Sequence, residues 1–118
     1  YNEAFSKIPE ITIQKEIKES DTTRHLYIIR LNSDKLKVGR DEIYKALNAE
    51  NVGLQVHYIP VYFHPYYQEL GYKKGLCPKA EALYEEIITI PLYYSMSDED
   101  LESVIEAVDK VISYYKID

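Results

Sequence analysis

The sequence predicts an α+β fold, a small antiparallel sheet of about three strands with helices packed on one face. Two observations carry this expectation. Short runs rich in β-branched and aromatic residues, His25–Leu31, Leu54–Tyr58 and Ile87–Ile90, read as strands, and prolines follow the last two. Segments with apolar residues three and four apart lie between and after them, as amphipathic helices require. The resulting order of strand, helix, strand, short helix, strand, helix fits a two-layer plait. At 118 residues the chain has the length of one domain.

Taken in order, residues 1–8 read as the end of a helix stopped at Pro9, which lacks an amide proton and restricts the residue before it. Ile11-Thr12-Ile13 is a short extended candidate, and Lys15–Thr23 is polar and reads as a surface loop. His25–Leu31 is apolar on both faces and is expected to be central in the sheet. Gly39 and Arg40 introduce a helix with Asp41 and Glu42 at its positive end and with Ile43, Tyr44 and Leu47 on its buried stripe. Asn51 and Gly53 suit its C-terminal end. Leu54–Tyr58 follows as a strand ended at Pro60, and Pro78 opens a short helix running to about Glu85. Ile87–Ile90 is closed by Pro91. Ser97 with Asp100 forms a shortened capping box before a helix whose apolar stripe runs through Leu101, Val104, Ile105, Val108, Val111 and Ile112.

Composition narrows the function classes. The net charge of −6 argues against a sequence-independent grip on nucleic acid or on an anionic membrane, both of which need clustered cations. The apolar runs are far shorter than a membrane span. Cys77 is the only cysteine, so no disulfide forms within the chain, in keeping with a cytoplasmic location. His25, His57 and His64 do not share a helix face, and no metal site is expected. The compositional oddity is 13 tyrosines against two phenylalanines and no tryptophan. A phenol has a flat apolar face and a polar tip, useful both in half-buried packing and on interfaces or sugar-binding surfaces.

Chemistry is most concentrated in Gly53–Leu92. There Val56-His57-Tyr58-Ile59-Pro60 sets an imidazole and a phenol at the end of an apolar strand, and an aromatic loop with Tyr62, Phe63, His64, Tyr66 and Tyr67 follows. A neutral imidazole can both donate and accept a hydrogen bond. Strand alternation would turn Tyr58 to the face opposite His57.

Five separated blocks then become informative together: His25–Leu31; Gly53 with Val56-His57-Tyr58-Ile59-Pro60-Val61; His64-Pro65-Tyr66-Tyr67; Pro78-Lys79-Ala80-Glu81; and Ile90-Pro91-Leu92-Tyr93 with Met96-Ser97-Asp98-Glu99-Asp100. In this order and spacing they resemble the C-terminal domain of the DegT/DnrJ/EryC1/StrS sugar aminotransferases. Within that family they are most similar to enzymes that aminate the 4-keto carbon of UDP-linked deoxysugars in surface or spore-coat polysaccharide pathways. The resemblance implies a homodimeric enzyme using pyridoxal 5'-phosphate (PLP), with glutamate as amino donor and a nucleotide sugar as acceptor. It implies that a large preceding domain holds the cofactor and its lysine, so that 1–23 is a linker and helix tail and 24–118 is the small domain. No residue of this chain then has a catalytic or cofactor-binding role, and the 118 residues are inactive alone. His57 matches the family histidine that reaches the sugar, and Tyr58, Tyr62 and Phe63 are the remaining candidates for the substrate wall. Tyr62 stands where relatives often carry a second histidine. The alternatives are a 3-aminotransferase or dehydratase of the same family, or a stand-alone ligand-binding α+β module without catalysis.

Overall fold

A computed structural model describes residues 1–117. Its sheet is three-stranded and antiparallel, in the order β1 (Ile11–Ile13), β2 (Tyr27–Leu31), β3 (Ile87–Ile90). Ile11 lies opposite Leu31, and Ile29 lies opposite both Ile13 and Ile88. The strand expected to be central is central, paired on one edge with β1 and on the other with β3, and Tyr27, Ile29 and Leu31 are buried on one face while Ile28 and Arg30 point to the other.

The main core lies on the face carrying Ile29, Ile88 and Ile90. Helix α2 (Arg40–Ala49) contributes Ile43 and Leu47, and α5 (Asp98–Tyr115) contributes Val104, Val108, Val111 and Ile112. Each such aliphatic side chain, fully buried, stabilises the fold by roughly 1.5–3 kcal/mol relative to exposure. Asn51 ends α2 with φ of 64°, a left-handed conformation that asparagine tolerates better than most residues. At the start of α5 the capping box forms: the Asp100 amide donates to Ser97 Oγ at 3.1 Å, and the Ser97 amide donates to Asp100 Oδ2 at 3.0 Å. These bonds hold the Asp100 carboxyl below its ordinary range.

Residues 1–13 of the expected lead-in pack into this same core. The short helix α1 (Asn2–Phe5) buries Phe5 completely, and the Tyr1 hydroxyl donates to the Pro91 carbonyl at 2.8 Å. Burial raises the Tyr1 phenol above its ordinary value.

One expected element differs. Leu54–Tyr58 is not a strand; it pairs with β3 only at Gln55, which exchanges two backbone bonds with Thr89 at 2.8 and 3.1 Å. The third strand of the sheet is β1 instead. Antiparallel register explains the truncation. Extending the pairing one way would set Gly53 opposite Pro91, which has no amide proton to donate. Extending it the other way would next set His57 opposite Ile87, whose amide already donates to the Leu83 carbonyl at the end of helix α4 (Pro78–Glu86). Leu54 is nevertheless buried, as its apolar character requires.

Candidate substrate-facing site

All four residues of β3 are buried because both its faces are covered. Ile88 and Ile90 enter the main core; Ile87 and Thr89 face the other way, with Ile28 and Arg30 of β2. This second face is flanked by α4 and by the segment after Gln55. Between them lies a groove of about 270 Å³ bounded by Thr12, Ile28, Arg30, His57 and Leu83. Arg30 Nε donates to Glu86 Oε2 at 2.6 Å, which ties β2 to the end of α4.

His57 is half-buried, and its Nδ1 stands 3.0 Å from Thr89 Oγ1. Tyr58 does not turn to the opposite face. Its ring meets the His57 imidazole edge-on at 4.5 Å between centroids, and the residue is 69% exposed. Alternation fails here because the regular ladder already ended at Gln55.

After Pro60 the chain makes a 3-10 turn at Val61–Phe63 and a one-turn helix, α3 (Pro65–Glu69), with Pro65 as its first residue. The returning loop passes through Gly71 and Gly75 at φ of 94° and 93°, values open to glycine and strained for other residues. Tyr62 and Phe63 are half-buried and meet edge-on at 5.1 Å. The Tyr62 hydroxyl donates to Glu81 Oε1 at 2.7 Å, and the Gly75 amide donates to the same oxygen at 2.7 Å. Burial first, and then this bond, push the Tyr62 phenol up to about 12. The Tyr62 bond is the main cause holding the Glu81 carboxyl below its ordinary range, with the Gly75 and Cys77 amides and Lys74 adding to it. Phe63 also meets the Tyr84 ring at 6.1 Å, the Lys74 ammonium lies 4.9 Å from Phe63, and the Arg40 guanidinium lies 5.0 Å from Tyr84. Cations over aromatic faces are attracted by the ring quadrupole, so this chain of contacts ties the loop through α4 to the start of α2.

The four candidates therefore form two pairs, His57 with Tyr58 and Tyr62 with Phe63, on either side of the Pro60 turn. Tyr58 is the one presented outward; Tyr62 and Phe63 give part of their surface to packing. Glu81 and Thr89 are the partners that sequence reasoning passed over. For Glu81 the signal was an acidic residue one turn into a helix that opens with Pro78; for Thr89 it was a lone hydroxyl in a run of isoleucines. His25 and His64 are exposed. Arg40 is largely buried, and Asp41 Oδ1 lies 3.0 Å from its Nε without the alignment of a hydrogen bond.

Larger hollows lie away from the candidates, one of about 430 Å³ beside Arg40, Asp41 and Glu86 and one of about 610 Å³ beside Lys110 and Tyr114. No metal-binding cluster occurs among the described residues. Every lysine is exposed, so none occupies the buried apolar setting that lowers an amine pKa for a Schiff base, and these residues do not fit the PLP cofactor.

The model of the DegT/DnrJ/EryC1/StrS aminotransferase family matches residues 1–109, and the chain belongs to that family. It is 40% identical over 114 residues to the spore coat polysaccharide biosynthesis protein SpsC of Bacillus subtilis, covering 95% of this chain and 29% of SpsC. It is also 40% identical over 117 residues to the uncharacterized protein MJ1066 of Methanocaldococcus jannaschii, covering 96% of this chain and 30% of that protein. Among solved structures, Streptococcus pneumoniae Spr1654, named as a sugar aminotransferase and solved in a PLP-form, superposes with a TM-score of 0.84 at 31% identity, over 96% of this chain and 29% of Spr1654. The chain thus spans less than a third of the relatives it matches. No described helix is long and apolar enough to cross a membrane.

Proposed function

We propose that this chain is the substrate-facing small domain of a PLP-dependent sugar aminotransferase that takes its amino group from glutamate. The acceptor is a nucleotide sugar, a UDP-4-keto-6-deoxyhexose, and the product is a 4-amino sugar for a surface or spore-coat polysaccharide. The reading carries with it a homodimer, a cytoplasmic location, and a segment 1–23 that leads in from a preceding domain. The observation that carries it is the family match over residues 1–109, joined to the 40% identity with SpsC.

When bound, PLP supplies the amino-group relay between donor and acceptor. This chain's residues bind and orient the sugar. His57, held at the edge of β3, meets a polar group of the sugar; Tyr58 offers an exposed ring beside it; Tyr62 and Phe63 form the wall beyond Pro60. With no lysine suited to the cofactor, the 118 residues alone carry no transaminase activity.

The test is made on the full-length protein. Purified with PLP, it should show the absorption of bound cofactor, and that band should change on adding glutamate. A protein that takes up no PLP sinks the reading. His57→Ala should raise KM for the nucleotide sugar while PLP binding stays intact. Loss of cofactor binding would instead make His57 a structural residue.

A further inference from the structure

Thr89 is a buried polar residue, 6% exposed, in a strand otherwise made of isoleucine. Its backbone N–H and C=O are both engaged by Gln55 at 2.8 and 3.1 Å. Its hydroxyl lies on the second face of the sheet, 3.0 Å from His57 Nδ1. A buried hydroxyl carries one proton that needs an acceptor, and leaving it unmatched costs more than the bond itself is worth. Nδ1 is the acceptor within reach.

We infer that Thr89 is a positioning residue that fixes His57 as the tautomer with its proton on Nε2, so that His57 meets the substrate as a hydrogen-bond donor. The three bonds from one residue set both the position and the protonation pattern of the ring. Gln55 fixes the backbone two residues before His57, and the hydroxyl fixes the ring. Nε2–H is left to address the ligand. The group it recognises is then an oxygen acceptor, a carbonyl such as that of an N-acetyl group or a phosphate oxygen. The partnership also accounts for threonine within an isoleucine run: valine would fill the same volume but leave Nδ1 without its donor.

The ligand half of this inference rests on the reading of His57 as a substrate residue; the tautomer half does not. Full-length protein labelled with 15N-histidine separates the two. At a pH where the His57 ring is neutral, its Nδ1 should give a pyridine-type shift and its Nε2 a pyrrole-type shift. Thr89→Val should mix the tautomers and Thr89→Ser should restore the wild-type pattern. In the PLP-loaded enzyme, Thr89→Val should raise KM for the nucleotide sugar about fivefold, the equivalent of one neutral hydrogen bond, with kcat within about twofold. A proton on Nδ1 in the wild type overturns the inference with no variant needed, as does an unchanged tautomer in a folded Thr89→Val protein. A shifted tautomer with unchanged KM upholds the role of Thr89 and overturns instead the reading of His57 as a substrate group.

Discussion

The Tyr62 hydroxyl donates to Glu81 Oε1 at 2.7 Å and so joins the turn after Pro60 to the first turns of α4. Because the Gly75 amide reaches the same oxygen, one carboxylate organises both ends of a loop that carries two candidate substrate residues.

Removing that carboxylate should loosen the loop without melting the core. Glu81→Ala should speed limited proteolysis between Gly71 and Cys77 several-fold, with the thermal midpoint little changed. Glu81→Gln, which keeps an acceptor oxygen, should fall between the two. Equal cleavage of Glu81→Ala and wild type would mean the loop is held by its aromatic contacts instead.

The same contact has a pH signature at each end. Hydrogen bonding lowers the folded Glu81 value, so its contribution is complete above the ordinary carboxylate range and is lost as pH falls through the lowered value. Tyr62 behaves in the opposite sense. Its phenol is raised from 10.0 to about 12, so its contribution is present below the ordinary value and is lost as pH climbs from there towards about 12. Spectrophotometric titration should lose one late-ionising tyrosine in Tyr62→Phe. In Glu81→Ala the Tyr62 transition should move down.

Phe5 tests whether the first residues are integral to the domain. It is completely buried against the core, with its ring 5.4 Å from that of Tyr1. Phe5→Ala should cost about 3–5 kcal/mol in urea unfolding, the range for deleting a buried aromatic ring. A loss below about 1 kcal/mol would make α1 an accessory to the fold.

Ser97 should show the ordinary weight of a helix cap. Ser97→Ala should lower stability by about 1 kcal/mol, while Ser97→Thr should retain most of it. The change should appear in amide exchange at the start of α5 before it appears elsewhere.

Tyr58 separates binding from stability more cleanly than the other candidates because so little of it is buried. Tyr58→Ala should leave the unfolding free energy within about 0.5 kcal/mol, as exposed positions usually do. In the full-length enzyme it should still raise KM for the sugar. Unchanged KM would remove Tyr58 from the substrate wall.

Much of this was legible locally. Isoleucines at 87, 88 and 90, the Ser97–Asp100 pair and the stripe from Val104 to Ile112 each carry their element in a few adjacent residues, where period and capping chemistry act. Membership of the sheet was less legible. Ile11–Ile13 and Leu54–Tyr58 look alike as short apolar runs, and only the first finds an unobstructed partner edge. The helix faces were readable from periods within single segments, and the α+β class and the family from the order and spacing of such segments along the chain. Three features belong to the folded chain alone: Leu54–Tyr58 shrinks to one bridge at Gln55, His57 rests on Thr89, and Glu81 gathers Tyr62 and Gly75. Those bonds join residues 32, 19 and six positions apart in the chain. They exist only because Pro91 and α4 limit the pairing at β3 and the loop folds back onto α4, and neither event is encoded in a local period.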